Sequence, residues 1–418
     1  MIKKYFIGAV STILFSLSAI GQEKDSSTVH PKTDSPQLGL LSKVKMSGFI
    51  QTQFQTIETP GAECISGGNF PVNTSNRFMI RRARLKAEYS SGIAQYVFQI
   101  GGTEEGISVG EIYVEIMEPW FKSVSFTAGI FNRPFSFEVP YSSSKIEYTE
   151  RSRIFKKILP DEKDFGAMIT ISPEGNSFLN MFALDAGVFN GTGPNHRDFD
   201  NRKDFTSHLT FTKSFFHDKL STKFGVSYNQ GGYDNQRKTH YEWNSGFQQT
   251  ANDTLALAKR LFKGIDAQFA AKWILGKTQF RGEYVFGTQA GTEKSSKTPD
   301  IAPIDDNGLP APSFSRQFSG GYFLFLHDIA KTNIQLEAKY DWYDPNSQVE
   351  GKEIGVLPKT GKVDITYHTF GFGLNYSLSN NIRLLAYYEI IKNEVTNFYG
   401  YEKDLSDNVF TLRLQCKF

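Results

Sequence analysis

The chain ends with the stretch Val409-Phe410-Thr411-Leu412-Arg413-Leu414-Gln415-Cys416-Lys417-Phe418, in which apolar and polar side chains alternate. A period of two is typical of a β-strand with an apolar and a polar face. Chain ends are normally frayed, so a patterned strand that continues to the final residue predicts a sheet that closes on itself. A membrane barrel needs such closure, because no sheet edge can stay unpaired in lipid.

The N-terminal residues predict export. Lys3 and Lys4 precede an apolar stretch from Tyr5 to Leu17, and small residues follow at Ala19 and Gly21. About thirteen apolar-rich residues are too few for a spanning helix, which needs about twenty. We therefore expect residues 1–21 to be a signal peptide that is removed after translocation.

The next segment, 22–45, mixes Ser, Thr, Pro and charges without periodicity, and we expect it to be a flexible periplasmic leader. The barrel domain is predicted over 46–418. Charged residues make up 22% of the chain and aromatic residues 14%, and the mean hydropathy is -0.37. After the signal no stretch approaches eighteen consecutive apolar residues, which excludes a helical membrane protein.

The net charge of the chain does not indicate which solute a pore would prefer. The chain has 46 Lys and Arg against 44 Asp and Glu, and removal of Lys3 and Lys4 with the signal leaves 44 cations against 44 anions. Only the placement of charge can then select a solute. The two cysteines, Cys64 in a predicted loop and Cys416 in the last strand, are expected to be too far apart for a disulfide.

The alternating pattern predicts an all-β fold, a transmembrane antiparallel β-barrel of sixteen strands. The predicted strands are 46–57, 77–89, 94–101, 108–118, 123–131, 164–172, 178–190, 203–215, 219–229, 262–272, 277–286, 319–327, 332–344, 364–378, 381–391 and 407–418. Tight connectors alternate with mostly long ones, as in barrels with short periplasmic turns and long external loops. Aromatic residues at three tight turns, Trp120-Phe121, Phe215-Phe216 and Trp273, favour an interfacial girdle. This pattern predicts the outer membrane of a Gram-negative bacterium.

The second predicted strand, 77–89, has a dense positive charge. With a period of two, Arg82, Arg84 and Lys86 share one face. A cation on the lipid face near the midplane costs about 2–4 kcal/mol, so this face is expected to line the lumen as a ladder of charge. Because a lumen is wet, we expect these cations to be replaceable without loss of folding.

Arg81 is then expected on the outer face, near an interface or in a contact between subunits. Two roles remain open for the ladder. It could guide anions, or it could pair with lumenal acids such as Glu111 and Glu115.

The predicted loop 132–163 combines aromatic and aliphatic residues with six cations. A loop that was only solvated would not need Phe135, Phe137 or Phe155. We expect this third external loop to fold inward, narrow the pore and present cations there; the alternative is an external loop that shields the mouth. The six cations are Arg133, Lys145, Arg151, Arg153, Lys156 and Lys157.

Four stretches together resemble the phosphate-selective porin O and P family, in the form found in Bacteroidetes-type bacteria. They are Phe78-x-Ile80-Arg81-Arg82-Ala83-Arg84-Leu85, Gly129-x-Phe131-Asn132-Arg133-Pro134-Phe135, Glu150-Arg151-Ser152 and Leu159-Pro160-x-Glu162-Lys163-Asp164-x-Gly166. The resemblance implies a homotrimeric porin whose arginines lead anions such as phosphate to a lysine-lined constriction. It also implies that the barrel-assembly machinery recognises the terminal Phe418.

The sequence thus predicts a passive diffusion porin, anion-preferring and a candidate for phosphate selectivity, in contact with outer-membrane lipid. No enzyme, cofactor or nucleic-acid partner is predicted, because the seven histidines lack metal-ligand spacing and no nucleophile-base-acid set is evident. The alternative is a structural or adhesive barrel with a closed lumen. Its long loops 230–261 and 287–318 could bind sugar through Tyr233, Tyr241, Trp243 and Phe247, although loop aromatics more often only pack.

Overall fold

The computed structural model describes residues 43–175, 177–250 and 257–418. The predicted signal peptide, 1–21, and residues 22–42 of the predicted leader lie outside the described residues. The strands are β1 (Val44–Ile57), β2 (Asn76–Ser91), β3 (Ala94–Thr103), β4 (Gly106–Met117), β5 (Val124–Asn132), β6 (Lys163–Ile171), β7 (Phe182–Phe189), β8 (Asp204–Phe215), β9 (Leu220–Asp234), β10 (His240–Trp243), β11 (Phe247–Gln249), β12 (Leu257–Trp273), β13 (Gly276–Gly291), β14 (Ser313–Ile329), β15 (Ile334–Asp344), β16 (Tyr367–Ser377), β17 (Ile382–Asn393) and β18 (Val409–Lys417).

Sixteen of these strands form a closed antiparallel barrel. The other two, β10 and β11, form a small hairpin that joins the ring only where β10 pairs in parallel with the start of β14. The ring closes where β18 pairs with β1, in a register that runs from Phe49 opposite Lys417 to Ile57 opposite Val409. Beyond β18, the Phe418 N–H donates to the Gly48 carbonyl at 3.0 Å, and the Gly48 N–H donates back at 3.1 Å. The predicted sixteen-stranded barrel, closed by the last strand, is therefore confirmed.

The two faces of the barrel wall differ in polarity. On β18, Arg413 and Gln415 point inward and are each 2% exposed, while Leu412 and Leu414 point outward and are 45% and 39% exposed. Outward-facing apolar residues recur around the ring, as lipid contact requires. The wall therefore places polar and charged side chains toward the interior.

The connectors at the two ends of the barrel differ in length, as predicted. The tight ones are 92–93, 118–123, 216–219, 274–275, 330–333 and 378–381. The connector 172–181 at the same end is longer than predicted, because Phe178–Met181 forms a 3₁₀ turn and β7 starts only at Phe182. The opposite end has the loops 58–75, 133–162, 190–203, 235–256, 292–312, 345–366 and 394–408, with 104–105 as a tight exception. Trp120, Phe121 and Phe216 are strongly exposed on the tight turns. We call the two ends the turn side and the loop side.

Two predicted loops are shorter than expected. The loops 230–261 and 287–318 shrink to 235–256 and 292–312, because β9, β12, β13 and β14 continue past the predicted boundaries. The polar ends of these strands lack the apolar alternation that marks a strand in lipid, so the sequence pattern did not show them. The hairpin of β10 and β11 was missed for the same reason.

The four loop aromatics proposed for sugar binding pack against other residues. Tyr233 and Phe247 are buried. Tyr241 stacks on Phe314 with ring centroids 4.6 Å apart, and Trp243 meets Phe247 edge-on at 5.3 Å. The packing alternative therefore explains these aromatics.

Helical structure is sparse in the described part of the chain. It comprises a short α-helix, α1 (Arg153–Ile158), and three 3₁₀ turns at Phe178–Met181, Gly351–Glu353 and Lys362–Asp364. No described helix has the length and apolar character needed to cross a bilayer. Both cysteines are free thiols, as expected.

Candidate functional site

The loop between β5 and β6, residues 133–162, is anchored to the barrel wall by an apolar cluster. Phe135 is fully buried and meets Phe262 of β12 edge-on, with ring centroids 6.3 Å apart. Val139, Ile146 and residues of α1 join Phe318, Tyr322 and Leu324 of β14 in the same cluster. Burying each large apolar side chain contributes about 1.5–3 kcal/mol. We call residues 133–162 the wall segment.

Helix α1 sorts its residues between this cluster and the charges. Ile154, Phe155 and Ile158 are at most 1% exposed, and their spacing places them on one side of the helix. Lys156 and Lys157 lie between them in sequence and remain partly exposed. The apolar residues thus hold the helix while the two lysines are presented away from the cluster.

Hydrogen bonds tie the wall segment to inward-facing side chains on several strands. Four side chains of the barrel strands donate hydrogen bonds to backbone carbonyls of the wall segment. They are Gln51 to Ser143 (3.2 Å), Asn375 to Glu147 (2.9 Å), Arg383 to Ile146 (2.6 Å) and Gln415 to Ser144 (3.1 Å). On other strands, the Ser136 N–H donates to Ser227 of β9 at 2.7 Å and the Glu138 N–H donates to Glu283 of β13 at 2.8 Å. The segment therefore touches β1, β9, β13, β16, β17 and β18.

A β-bulge in β2 corrects the predicted orientation of Arg81. The register with β1 places Gln51 opposite Arg82 and Thr52 opposite Ile80, so Arg81 is the extra residue. A bulge reverses the alternation of faces along a strand. Arg81 therefore points inward beside Arg82, not outward as predicted.

Four cations surround the single carboxylate of Glu150. Arg81 Nε lies 2.5 Å from Glu150 Oε1, Arg82 Nη2 lies 2.7 Å from Oε2, Lys156 Nζ lies 3.1 Å from Oε2, and Arg413 Nη2 lies 3.8 Å from Oε1. Burial alone would raise the pKa of Glu150, but Arg81, Arg82 and Lys156 hold it well below its usual range. The group has an excess of three positive charges, and we call it the Glu150 cluster.

The four stretches that carry the family resemblance meet in space. Besides the contact of Arg81 and Arg82 with Glu150, Arg151 forms an ion pair with Glu162. Arg133 Nη1 lies 3.9 Å from Asp164 Oδ2, and both side chains are buried. Burial raises and Arg151 lowers the pKa of Glu162, which falls to about 2.

Gly129 of the second stretch is required by its backbone. Its φ is 132°, and a Cβ there would lie 2.2 Å from the Ile112 carbonyl oxygen. Only glycine fits this conformation and this distance without strain. Gly129 thereby allows β5 to stay paired with β4 close to the point where the wall segment begins.

The other predicted site residues have different surroundings. Arg84 donates to Gln99 at 3.3 Å. Lys86 lies 2.8 Å from Glu88 and 3.8 Å from Glu111, so it pairs with acids, while Glu115 forms no ion pair with described residues. The ladder is thus partly neutralised.

The remaining three cations of the wall segment are separate from the Glu150 cluster. Lys145 is exposed. The Arg153 guanidinium lies over the Tyr367 ring, 4.0 Å from its centroid. Lys157 has no ion-pair partner among the described residues.

Two cavities lie on either side of the Glu150 cluster. The loop-side cavity, of about 640 Å³, is lined by Arg153 and Lys157 together with residues of the external loops. The turn-side cavity, of about 430 Å³, is lined by Arg84, Lys86 and Arg151 and by residues at the ends of β1 and β18. A third cavity, of about 20 Å³, is lined by Glu150, Arg151 and Arg153. It shares Arg153 with the loop-side cavity and Arg151 with the turn-side cavity.

Sequence reasoning missed several charged residues of the site. Arg413 joins the Glu150 cluster, Arg281 pairs with Glu147 at 2.8 Å, and Lys339 pairs with Glu138 at 3.0 Å. Their inward positions follow from the period-two pattern. Their partners do not, because each pair joins residues more than a hundred positions apart.

The described residues contain no group of three His, Cys, Asp or Glu side chains that could hold a metal ion. No protein-family model and no curated protein matches the chain.

Solved structures do resemble the chain. The high-pH structure of Pseudomonas putida OprB has a TM-score of 0.56 and 8% identity, over 91% of this chain and 96% of that one. The outer membrane channel DcaP of Acinetobacter baumannii has a TM-score of 0.51 and 12% identity, over 90% and 97%. A loop L8 deletion mutant of OmpT, an outer membrane protein of Vibrio cholerae, has a TM-score of 0.51 and 12% identity, over 90% and 99%. At these identities the likeness establishes the barrel fold, and the phosphate-selective porin family stays a prediction.

Proposed function

We propose that this protein is a passive diffusion channel of a Gram-negative outer membrane and that it prefers anions. The single observation that carries the preference is the Glu150 cluster, in which four cations share one carboxylate. Excess charge between low-dielectric walls attracts counter-charged solutes. The channel would need neither chemistry nor energy coupling, because solutes would move down their own gradients.

In this proposal the wall segment folds into the lumen and forms the constriction. Its hydrogen bonds to inward-facing side chains of six strands support that position. The apolar cluster around Phe135 and α1 would fix the segment to one side of the lumen. Lys156 and Lys157, which stay partly exposed, would then face the remaining space.

The proposed path runs from the loop-side cavity through the Glu150 cluster to the turn-side cavity. Arg153 and Lys157 stand at its entrance, and Arg84, Lys86 and Arg151 stand beyond the constriction. The cavity beside Glu150, of about 20 Å³, has room for about one water molecule. A larger solute would pass when the side chains around Glu150 move.

The family resemblance adds three parts to the proposal. It implies phosphate as a solute, a homotrimer as the assembly and recognition of Phe418 by the barrel-assembly machinery. Phe418 is exposed at the turn side and so is accessible to such a partner. The trimer loses the support expected from an outward Arg81, because Arg81 points inward.

A structural barrel with a closed lumen is the second candidate. The dense packing of the wall segment favours it, since Glu138, Tyr148 and Lys339 are at most 5% exposed. Planar-bilayer recording of the refolded protein separates the two candidates. Discrete conductance steps would support the channel, and a folded protein that inserts without any steps would favour the closed barrel.

The same recordings test the preference for anions with a matched pair of variants. Lys157→Glu reverses a charge at the entrance, and Lys203→Glu makes the same change at an exposed lysine that pairs with Asp198 and does not line the loop-side cavity. We expect Lys157→Glu to lower the ratio of anion to cation permeability and Lys203→Glu to leave it close to wild type. Equal ratios in both variants would contradict the proposed entrance.

A further inference from the structure

The loop-side cavity combines aromatic rings with cations. Tyr343, Tyr367 and Tyr401 line it beside Arg153 and Lys157, and its volume of about 640 Å³ is ordinary for a small-molecule site. Planar rings offer apolar faces against which the ring of a solute can stack. The cavity is therefore more than a wet vestibule of charges.

Two of the cations in the cavity have no carboxylate within ion-pair distance among the described residues. Arg153 lies over the Tyr367 ring at 4.0 Å, and its Nε is buried without a hydrogen-bond acceptor. Lys157 is half-buried, and its backbone carbonyl accepts from the Thr298 N–H at 2.9 Å. By contrast, Lys362 in the same cavity is paired with Glu63. Arg153 and Lys157 are thus available to an anionic group.

One carboxylate in the cavity is also unsatisfied. Asp407 is 6% exposed and lines the cavity, and its Oδ1 has no hydrogen-bond partner among the described residues. A buried acceptor without a donor is costly. Hydroxyl groups of a solute would supply the missing donors.

We infer that the loop-side cavity is a binding site for a sugar phosphate, which is a hydroxyl-bearing ring joined to an anionic group. The phosphate would bind Arg153 and Lys157, the ring would stack on the partly exposed Tyr401, and a ring hydroxyl would donate to Asp407. Each of the three chemical parts of the ligand then has a partner. The inference rests on the proposed function, since it names a class of solute for that path.

Isothermal titration calorimetry on the full chain in detergent tests the site without requiring conduction. The probes are glucose 6-phosphate, phenyl phosphate, inorganic phosphate and glucose. We expect glucose 6-phosphate to bind at least about tenfold more tightly than each of the others, because each of them lacks at least one of the three contacts. Equal affinity for glucose 6-phosphate and inorganic phosphate would overturn the site.

Two variants separate the contacts. Asp407→Leu should weaken glucose 6-phosphate binding about tenfold and leave inorganic phosphate unchanged or tighter, because leucine offers no acceptor for the ring hydroxyl. Lys157→Gln should weaken binding of both phosphates, and Lys203→Gln, at a lysine that does not line the cavity, should weaken neither. An Asp407→Leu variant that stays folded and keeps the wild-type preference for the sugar phosphate would refute the hydroxyl contact.

The outcomes distinguish this inference from the proposed channel. A protein that binds glucose 6-phosphate but shows no conductance steps would refute the channel and keep the site. A protein that conducts anions but binds inorganic phosphate as tightly as the sugar phosphate would keep the channel and refute the site.

Discussion

Replacing Glu150 with glutamine tests what holds the wall segment in place. The change removes the one carboxylate that faces Arg81, Arg82, Lys156 and Arg413. The amide cannot neutralise these charges, so the cluster rises from an excess of three positive charges to four. The four cations would then repel one another in a site where Glu150 is only 4% exposed.

The expected magnitude follows from the loss of a buried ion-pair partner. Removing one partner of such a pair costs about 3–5 kcal/mol, because the other charge is left uncompensated. A cost of about 1.4 kcal/mol changes an equilibrium constant tenfold. If the cost falls on docking of the segment, the undocked form should become about a hundredfold to a few thousandfold more populated.

Limited trypsin digestion measures that population. The segment contains Arg151, Arg153, Lys156 and Lys157 as cleavage sites, and in the wild type it is docked on the wall. Cleavage of a transiently open form follows its population when closing is fast. We therefore expect Glu150→Gln to be cut within 133–162 at least about a hundredfold faster than the wild type.

Asp161→Asn is the matched control, because it removes a carboxylate from the same segment and Asp161 forms no ion pair with described residues. It should be cut at close to the wild-type rate. A Glu150→Gln variant that keeps a folded barrel and is cut no faster than Asp161→Asn would show that the Glu150 cluster does not hold the segment.

Three further predictions concern acid, topology and assembly. Arg151 depresses the pKa of Glu162 to about 2 despite burial. The stabilisation that ionised Glu162 gives the folded protein is therefore present above the unfolded pKa of about 4.3 and is lost as the pH falls toward 2. Pepsin should cut 133–162 at pH 2 but not at pH 4, and equal cutting at the two pH values would contradict this. Protease added to intact cells should cut within 235–250 or 292–312 and spare 118–123, and cleavage of that turn from outside would reverse the topology. In mild detergent the protein should run as a heat-sensitive trimer, which a strictly monomeric mass would disprove.

The sequence predicted the barrel because its signals are local. Apolar and polar residues alternate along a strand because one face meets lipid, and connectors are recognisable by their Gly, Pro, Asn and charged residues. Strands such as β17 and β18 therefore match their predicted ranges within two residues. The predicted orientation of Arg81 was wrong, because the bulge depends on how β2 pairs with Gln51 and Thr52 of β1. A period-two pattern read along one strand does not contain that information.

The sequence predicted most cations of the candidate site but not the acidic residues with which they pair. The cations of 133–162 and the inward Arg82 were identified from the sequence, whereas the role of Glu150 as their shared partner depends on how the segment crosses the barrel wall. Arg82 is 8% exposed and bound to Glu150, so it is not the freely replaceable charge that a wet lumen predicts. Long-range contacts of this kind follow from the closed barrel and not from spacing in the chain.

The zero-current potential of the wild-type protein, recorded in a planar bilayer under a KCl gradient, tests the proposed channel most directly. Charges are screened beyond about 10 Å in about 0.1 M salt and beyond about 3 Å in about 1 M salt. If the Glu150 cluster and its neighbouring cations set the selectivity, the potential should show a clear preference for chloride in dilute KCl that fades in concentrated KCl. A preference for potassium in dilute KCl, or a folded barrel that inserts without conductance steps, would contradict the proposed function.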